Sequence, residues 1–210
     1  DHLETEAIDA DASRKLLATA RTLLPVSYML GGVLGPYLPV ALTRMGIDLS
    51  WQPIVAAIWL TARIPTMLVF ERWHGWHGKA WPLALGAITL ALGFIGCVLS
   101  PLIPNQSVAI VSLSISLALF GAAMGTIYTA AIYYAMEVGQ GEIDSGAIHE
   151  TLIGVGYALG PALGIFASLA VRLGVVSDRF FSAVLIGATV LACIGLATLI
   201  NALTKPHRAS

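Results

Sequence analysis

The chain has 210 residues, of which 57% are apolar and only 11% charged, with a formal net charge of -1 and a mean hydropathy of +0.83. A soluble domain carries roughly 25% charged residues, so water cannot be the only solvent of this chain, and the near-zero charge without any basic run argues against nucleic acid as a partner. A soluble helical core would need polar residues on the outward face of every helix, whereas here apolar stretches run almost unbroken past the length that crosses a bilayer.

The start of the chain carries Asp1, Glu4, Glu6, Asp9 and Asp11, with no Lys or Arg before Arg14, the reverse of a signal-peptide n-region. Residues 1–15 are therefore expected to form an acidic, mobile cytoplasmic linker at the front of a chain cut from something longer. Apolar length and Gly/Pro or polar punctuation then mark six spans: Leu16 to Arg44, Trp51 to Trp73, Ala80 to Ser100, Ser107 to Glu137, Gly146 to Arg172, and Arg179 to Thr204. The expected fold is all-α and polytopic, with a six-helix transmembrane bundle over 16–204 and a cytoplasmic tail over 205–210. The first and fourth spans exceed the about 20 residues that a crossing needs, so they should tilt, curve or project beyond the membrane. Short connections, Met45 to Ser50 and Pro101 to Gln106, should make sequential helices antiparallel neighbours.

Cytoplasmic loops carry the excess of Lys and Arg. An inside N-terminus places Arg14, Lys15, Arg21, Arg72, Lys79, Lys205 and Arg208 on the cytoplasmic side against Arg44, Arg172 and Arg179 outside. Both termini are therefore expected in the cytoplasm, in a cell or inner membrane. The loop over 138–145 offers acidic residues and no basic one, and acidic residues count for little in this rule. Trp51, Trp73, Trp76 and Trp81 stand at span ends, where an aromatic belt is expected. Cys97 and Cys193 fall inside apolar segments without CxxC spacing and read as small hydrophobes.

Arg63 is the most informative single residue, because it sits mid-span in the second helix. An arginine at the centre of a spanning helix costs about 2.5 to 3.5 kcal/mol even on the gentlest insertion scale, so it must face protein or water and meet an acceptor. Every carboxylate of the chain falls near a span end. The counter-charge is then an anionic substrate, a carboxylate on another part of the protein, or carbonyls freed near Pro65; a structural ion pair is the alternative to a transport role. The fifth span reads Gly156-Tyr-Ala-Leu-Gly160-Pro161-Ala-Leu-Gly164, a face of small residues that allows close backbone approach, with a proline that invites a bend, so packing or a hinge is expected there. Gly31, Gly35, Pro36, Gly121 and Gly125 repeat the signal more weakly. Tyr28 and Tyr37, Trp59, and Tyr128, Tyr133 and Tyr134 supply aromatic surface that either lines a cavity or fills gaps between helices. His149 and Glu150 open the fifth span, where capping and gating are equally open.

Between the second and third spans the sequence reads Phe70-Glu71-Arg72-Trp73-His74-Gly75-Trp76-His77-Gly78-Lys79. This resembles the Gly-x-x-x-Asp-Arg-x-Gly-Arg-Arg loop of major facilitator transporters, with Glu71 in place of the Asp, looser glycine spacing and a delayed second basic residue. The run from Gly156 to Gly164 resembles the Gly-x-x-x-Gly-Pro-x-x-Gly-Gly signature of that family's helix 5, whose symmetry mate is helix 11; the final glycine is Ile165 here. With the acidic leader and six spans, the chain resembles the C-terminal half, helices 7 to 12. The resemblance implies a bundle of two inverted three-helix repeats facing a matching N-terminal six-helix half, in a secondary active transporter that works by alternating access on a small molecule bound at mid-membrane. It implies that Arg63, Tyr28, Tyr128 and Tyr157 line the substrate pathway, with Trp59 a further candidate, and that Glu71, Arg72 and Lys79 belong to a gating loop.

An intramembrane enzyme is the first alternative; a serine protease of that kind needs a buried Ser and His, and the nearest pair, Ser145 and His149, stands at a helix start with only helical-turn spacing to recommend it. No HExxH occurs, and His74 and His77 stand in a loop without a third ligand, so no metal, cofactor or catalytic residue is expected. A channel or non-transporting scaffold is the second alternative. With no carboxylate at mid-membrane, a proton-coupling residue is expected in the matching N-terminal half.

Overall fold

A computed structural model describes residues 2–139 and 143–175. The expected sixth span, the tail over 205–210 and Cys193 lie outside the described residues, as does Glu142. The described chain is helical throughout: α1 (His2–Arg44), α2 (Gln52–Arg72), α3 (Trp81–Leu99), α4 (Gln106–Val138) and α5 (Ile143–Arg172), with single 3-10 turns at His74–Trp76 and Ser100–Leu102. Four of these helices, α1 to α4, are long and apolar enough to cross a membrane, which is the make-up of an integral membrane protein.

The helix ends follow from local chemistry. Pro53 and Pro82 enter α2 and α3 in the first turn, where their missing N–H costs nothing. Asn105 caps α4 by accepting from the Val108 N–H at 3.1 Å. Helix α1 stops at Gly46, whose φ of 70° suits a residue without Cβ, and the N–H groups of Gly46 and Ile47 return to the carbonyls of Thr43 and Leu42, each at 3.0 Å. Gln106 donates to the Met45 carbonyl at 2.8 Å and so clips the start of α4 onto the end of α1.

Helix α1 runs back to His2 without a break, so the acidic stretch is helical from that residue on. Its Leu, Ala and Glu residues are good helix formers, and Glu4 and Glu6 lie near the positive end of the helix dipole.

The packing order also departs from the expectation of sequential neighbours. Among the described helices, only α3 and α4 are consecutive elements that pack closely and antiparallel; otherwise α2 packs on α4, α5 packs on α1, and α1 packs on α4 at the centre. Loop length fixes the direction of the next helix but not its partner, and small residues decide the partner. Gly121 and Gly125 of α4 lie on the backbone of Trp59 and Arg63 of α2. Gly156 and Gly160 of α5 lie on the backbone of α1 from Pro25 to Gly32. In both seams residue numbers rise together, so each pair is parallel. Gly93 and Gly96 of α3 lie against Phe120 and Ser116 of α4, where the numbers run oppositely.

The core is apolar and centred on α1, α3 and α4, with Leu23, Leu24, Leu34, Leu90, Phe94, Cys97, Leu113 and Phe120 buried. Helix α2 is the exception, since only Gln52 and Phe70 of it are buried, while Ile54, Leu60, Ile64, Leu68 and Val69 stand exposed. Of the four tryptophans expected in an aromatic belt, Trp51, Trp73 and Trp81 are exposed, but Trp76 is buried to 1% exposure. Its indole N–H donates to the Phe70 carbonyl at 2.9 Å, and its ring meets Phe70, Tyr133 and Tyr134 edge-on. Trp76 is an anchor of the α2–α3 loop, because the 3-10 turn that carries it folds the indole back over the end of α4.

Candidate functional site

Arg63 projects from the middle of α2, held there by the seam in which Gly125 of α4 touches its backbone. The guanidinium is half-buried and donates from Nη2 to the hydroxyl of Tyr28 on α1 at 2.8 Å. Its Cζ lies 5.5 Å from the centre of the Tyr28 ring and 5.8 Å from that of Tyr128 on α4, within the range of cation–π attraction. Tyr157 on α5 meets Tyr28 edge-on, with ring centres 5.0 Å apart. Four helices thus deliver Arg63, Tyr28, Tyr128 and Tyr157 to one place, although these residues are far apart in the chain. The acceptor is a phenol, a partner outside the three that the sequence suggested.

Among the described residues the only ion pair joins Lys15 and Asp11, at 2.7 Å, so no carboxylate neutralises Arg63 there. A guanidinium has five N–H donors in a planar fork, and only one hydrogen bond of this fork goes to a described residue. Tyr28 is buried, Tyr128 half-buried, and Tyr157 is 46% exposed, so the cluster opens on the α5 side of the described residues. A cation with spare donors, walled by aromatic rings, can hold an oxyanion through charge-assisted hydrogen bonds while the rings pack an apolar or aromatic body.

Trp59 is not part of this cluster. It sits one turn away on α2, with its ring against Phe120 at 5.9 Å and its carbonyl against Gly121. Gly156 and Gly160 form the α1 seam, and Gly32 approaches Pro161 and the Tyr157 carbonyl, the carbonyl that Pro161 leaves without its helical donor. These contacts are packing, and they position Tyr28 and Tyr157 opposite each other. Gly164 lies within α5. Glu71, Arg72 and Lys79 are exposed at the α2–α3 end, away from the cluster.

That end has its own aromatic assembly. His77 stacks on Tyr133 with ring centres 4.0 Å apart, and His74 lies 5.3 Å from His77. Burial, and then the neighbouring His74, hold the His77 imidazole below its ordinary range, against the opposing pull of Glu137. Ser13 of α1 donates to Glu137 at 3.3 Å, tying the same end of α4 to α1. At the opposite end the Ser50 N–H and hydroxyl hold the Asp48 carboxyl below its usual value.

His149 is a group whose place the sequence left open. It is 3% exposed, its ring meets Tyr128 edge-on at 5.0 Å, and its Nε2 has no hydrogen-bond partner among the described residues. Ser145 is also buried, and no hydrogen bond joins it to His149. The sequence signal was present as a histidine one helical turn inside a span, but nothing in the sequence places it on Tyr128.

Comparison of the chain with protein-family models, with curated proteins and with solved structures finds no match.

Proposed function

We propose that the chain is a six-helix half of a secondary active transporter of the major facilitator type, and that it binds a small organic anion at Arg63. The observation that carries this reading is the paired packing of the helices. Helix α2 lies parallel on α4 through Gly121 and Gly125, α5 lies parallel on α1 through Gly156 and Gly160, and α1 crosses α4 between them. Exchanging α1 with α4 and α2 with α5 maps this contact pattern onto itself, as expected for two inverted three-helix repeats.

Two further features support the reading. The bare apolar face of α2 fits lipid or a matching second half-bundle, which exposes far less apolar surface to water than a free bundle does. The Arg63 cluster is drawn from both repeats, α1 and α2 of one and α4 and α5 of the other, where such transporters bind their substrate. The Glu71, Arg72 and Lys79 loop, anchored by Trp76, is the gating element of this reading, and both termini are cytoplasmic.

The test is uptake and efflux of a panel of carboxylates, phosphates and neutral solutes in vesicles carrying the full-length protein. Arg63→Ala should abolish transport of an anion at normal membrane insertion, and Arg63→Lys should restore part of it, because a point charge lacks the planar fork. Transport of a solute that both variants carry at the wild-type rate would remove Arg63 from the pathway.

A further inference from the structure

The ring of Tyr128 is shared. The Arg63 guanidinium lies 5.8 Å from its centre, and the imidazole of His149 meets it edge-on at 5.0 Å. An edge-on imidazole on a tyrosine is ordinary packing, but this one is 97% withdrawn from solvent and leaves Nε2 without a partner among the described residues. A buried ring nitrogen with no hydrogen bond is costly unless it is used. Among the described residues the groups that face it are few. Tyr128 comes from α4 and Arg63 from α2 beyond that ring, Arg21 lies across on α1, and Glu150 is the neighbour on α5 itself. None of them forms an ion pair with the imidazole among the described residues.

We propose that His149 is the proton-binding residue of the Arg63 site, and that its protonation and anion binding at Arg63 favour each other. The proposal rests on the reading of Arg63 as an anion site and adds its coupling ion. A proton arriving at His149 makes a second cation against the ring that already holds Arg63. The two cations repel one another, and the imidazolium competes for the π-system of Tyr128. Arg63 is thereby biased off Tyr128 toward any oxyanion on its open side. An anion on Arg63 cancels the repulsion and raises the proton affinity of His149 by the same factor, because linkage is reciprocal. Proton and anion then load together, as symport requires, without a carboxylate at mid-membrane. His149 can do this because an imidazole changes charge near neutral pH.

The experiment is an imidazole titration of the full-length protein, labelled with 15N-histidine and held in lipid nanodiscs, with His149 assigned by comparison with His149→Gln. The His149 signal should titrate in the folded protein. Arg63→Gln should move its midpoint up by about one pH unit, the size expected for removing a unit charge roughly 10 Å away at an effective dielectric constant of about 20. Tyr128→Phe, which keeps the ring, should leave the midpoint near wild type, whereas Tyr128→Leu should shift it. A His149 signal that stays flat from pH 4 to 9, or a midpoint unmoved by Arg63→Gln, overturns the proposal. In vesicles, His149→Gln should flatten the pH dependence of anion uptake; an unchanged pH profile also overturns it. If the full-length protein carries no anion, the transport reading fails, while the imidazole titration still decides whether His149 and Arg63 are coupled.

Discussion

Gly121 offers the sharpest test of the helix pairing. A Cβ built on it overlaps the Trp59 carbonyl outright, and it would also lie 2.8 Å from the carbonyl carbon and 2.9 Å from Cα of that residue. These are backbone atoms, so no rotamer change relieves the clash and α2 must move away from α4. Overpacking of this kind costs about 1–3 kcal/mol, and the intrinsic preference of a helix for Ala over Gly returns only about 0.5–1 kcal/mol. Gly121→Ala should therefore be destabilising by about 1–2 kcal/mol net. At Gly160 a Cβ would lie 2.6 Å from the Met29 carbonyl oxygen and at Gly125 2.9 Å from that of Arg63, whereas at Gly154 it meets nothing within 4 Å. Gly154→Ala should be neutral or stabilising. Reversible unfolding in mixed micelles, run on the four alanine variants, should return the order 121, 160, 125, 154. If Gly121→Ala is as stable as Gly154→Ala, the parallel α2–α4 seam is wrong, and with it the placement of Arg63.

Tyr28→Phe removes the acceptor of the 2.8 Å bond to Arg63 while keeping the ring, and should cost about 1 kcal/mol in the same unfolding assay and loosen anion specificity in uptake. Trp76→Ala empties a fully buried site and should destabilise by about 3–5 kcal/mol, with protease cleavage appearing at Arg72 or Lys79. Because the His77 proton affinity is lowered on folding, the docked α2–α3 loop is favoured above the free-histidine pKa of about 6.5 and weakened as pH falls through it. Tryptophan fluorescence should report undocking on acidification, and His77→Phe should flatten that response.

Helix existence and bounds were legible because apolar length, proline at entry and glycine at exit are local signals. The Trp51 to Trp73 span became Gln52–Arg72, and Ser107 to Glu137 became Gln106–Val138. The gathering of Tyr28, Arg63, Tyr128 and Tyr157 into one cluster is a matter of rotation and pairing, which periodicity in an all-apolar helix does not encode. Arg63 itself was conspicuous from its cost in lipid, but its phenol partner was not, because Tyr28 lies 35 positions away. Trp76 looked like a belt residue for the same reason: interfacial and buried tryptophans occupy the same position in sequence, and only the 3-10 turn at His74–Trp76 turns this one inward. The acidic start carries two signals, since charge density argues for a linker while residues 3–7, Leu-Glu-Thr-Glu-Ala, have helix propensity enough to extend α1.

The most direct test of the account is accessibility at Tyr157, the exposed rim of the Arg63 cluster. Tyr157→Cys, in a cysteine-free full-length protein in sealed vesicles, should react with a membrane-impermeant maleimide applied from either side, and a transported anion should protect it. A Tyr157→Cys thiol that reacts only with lipid-soluble reagents and is indifferent to every anion would place this face in lipid and contradict a substrate pathway at Arg63.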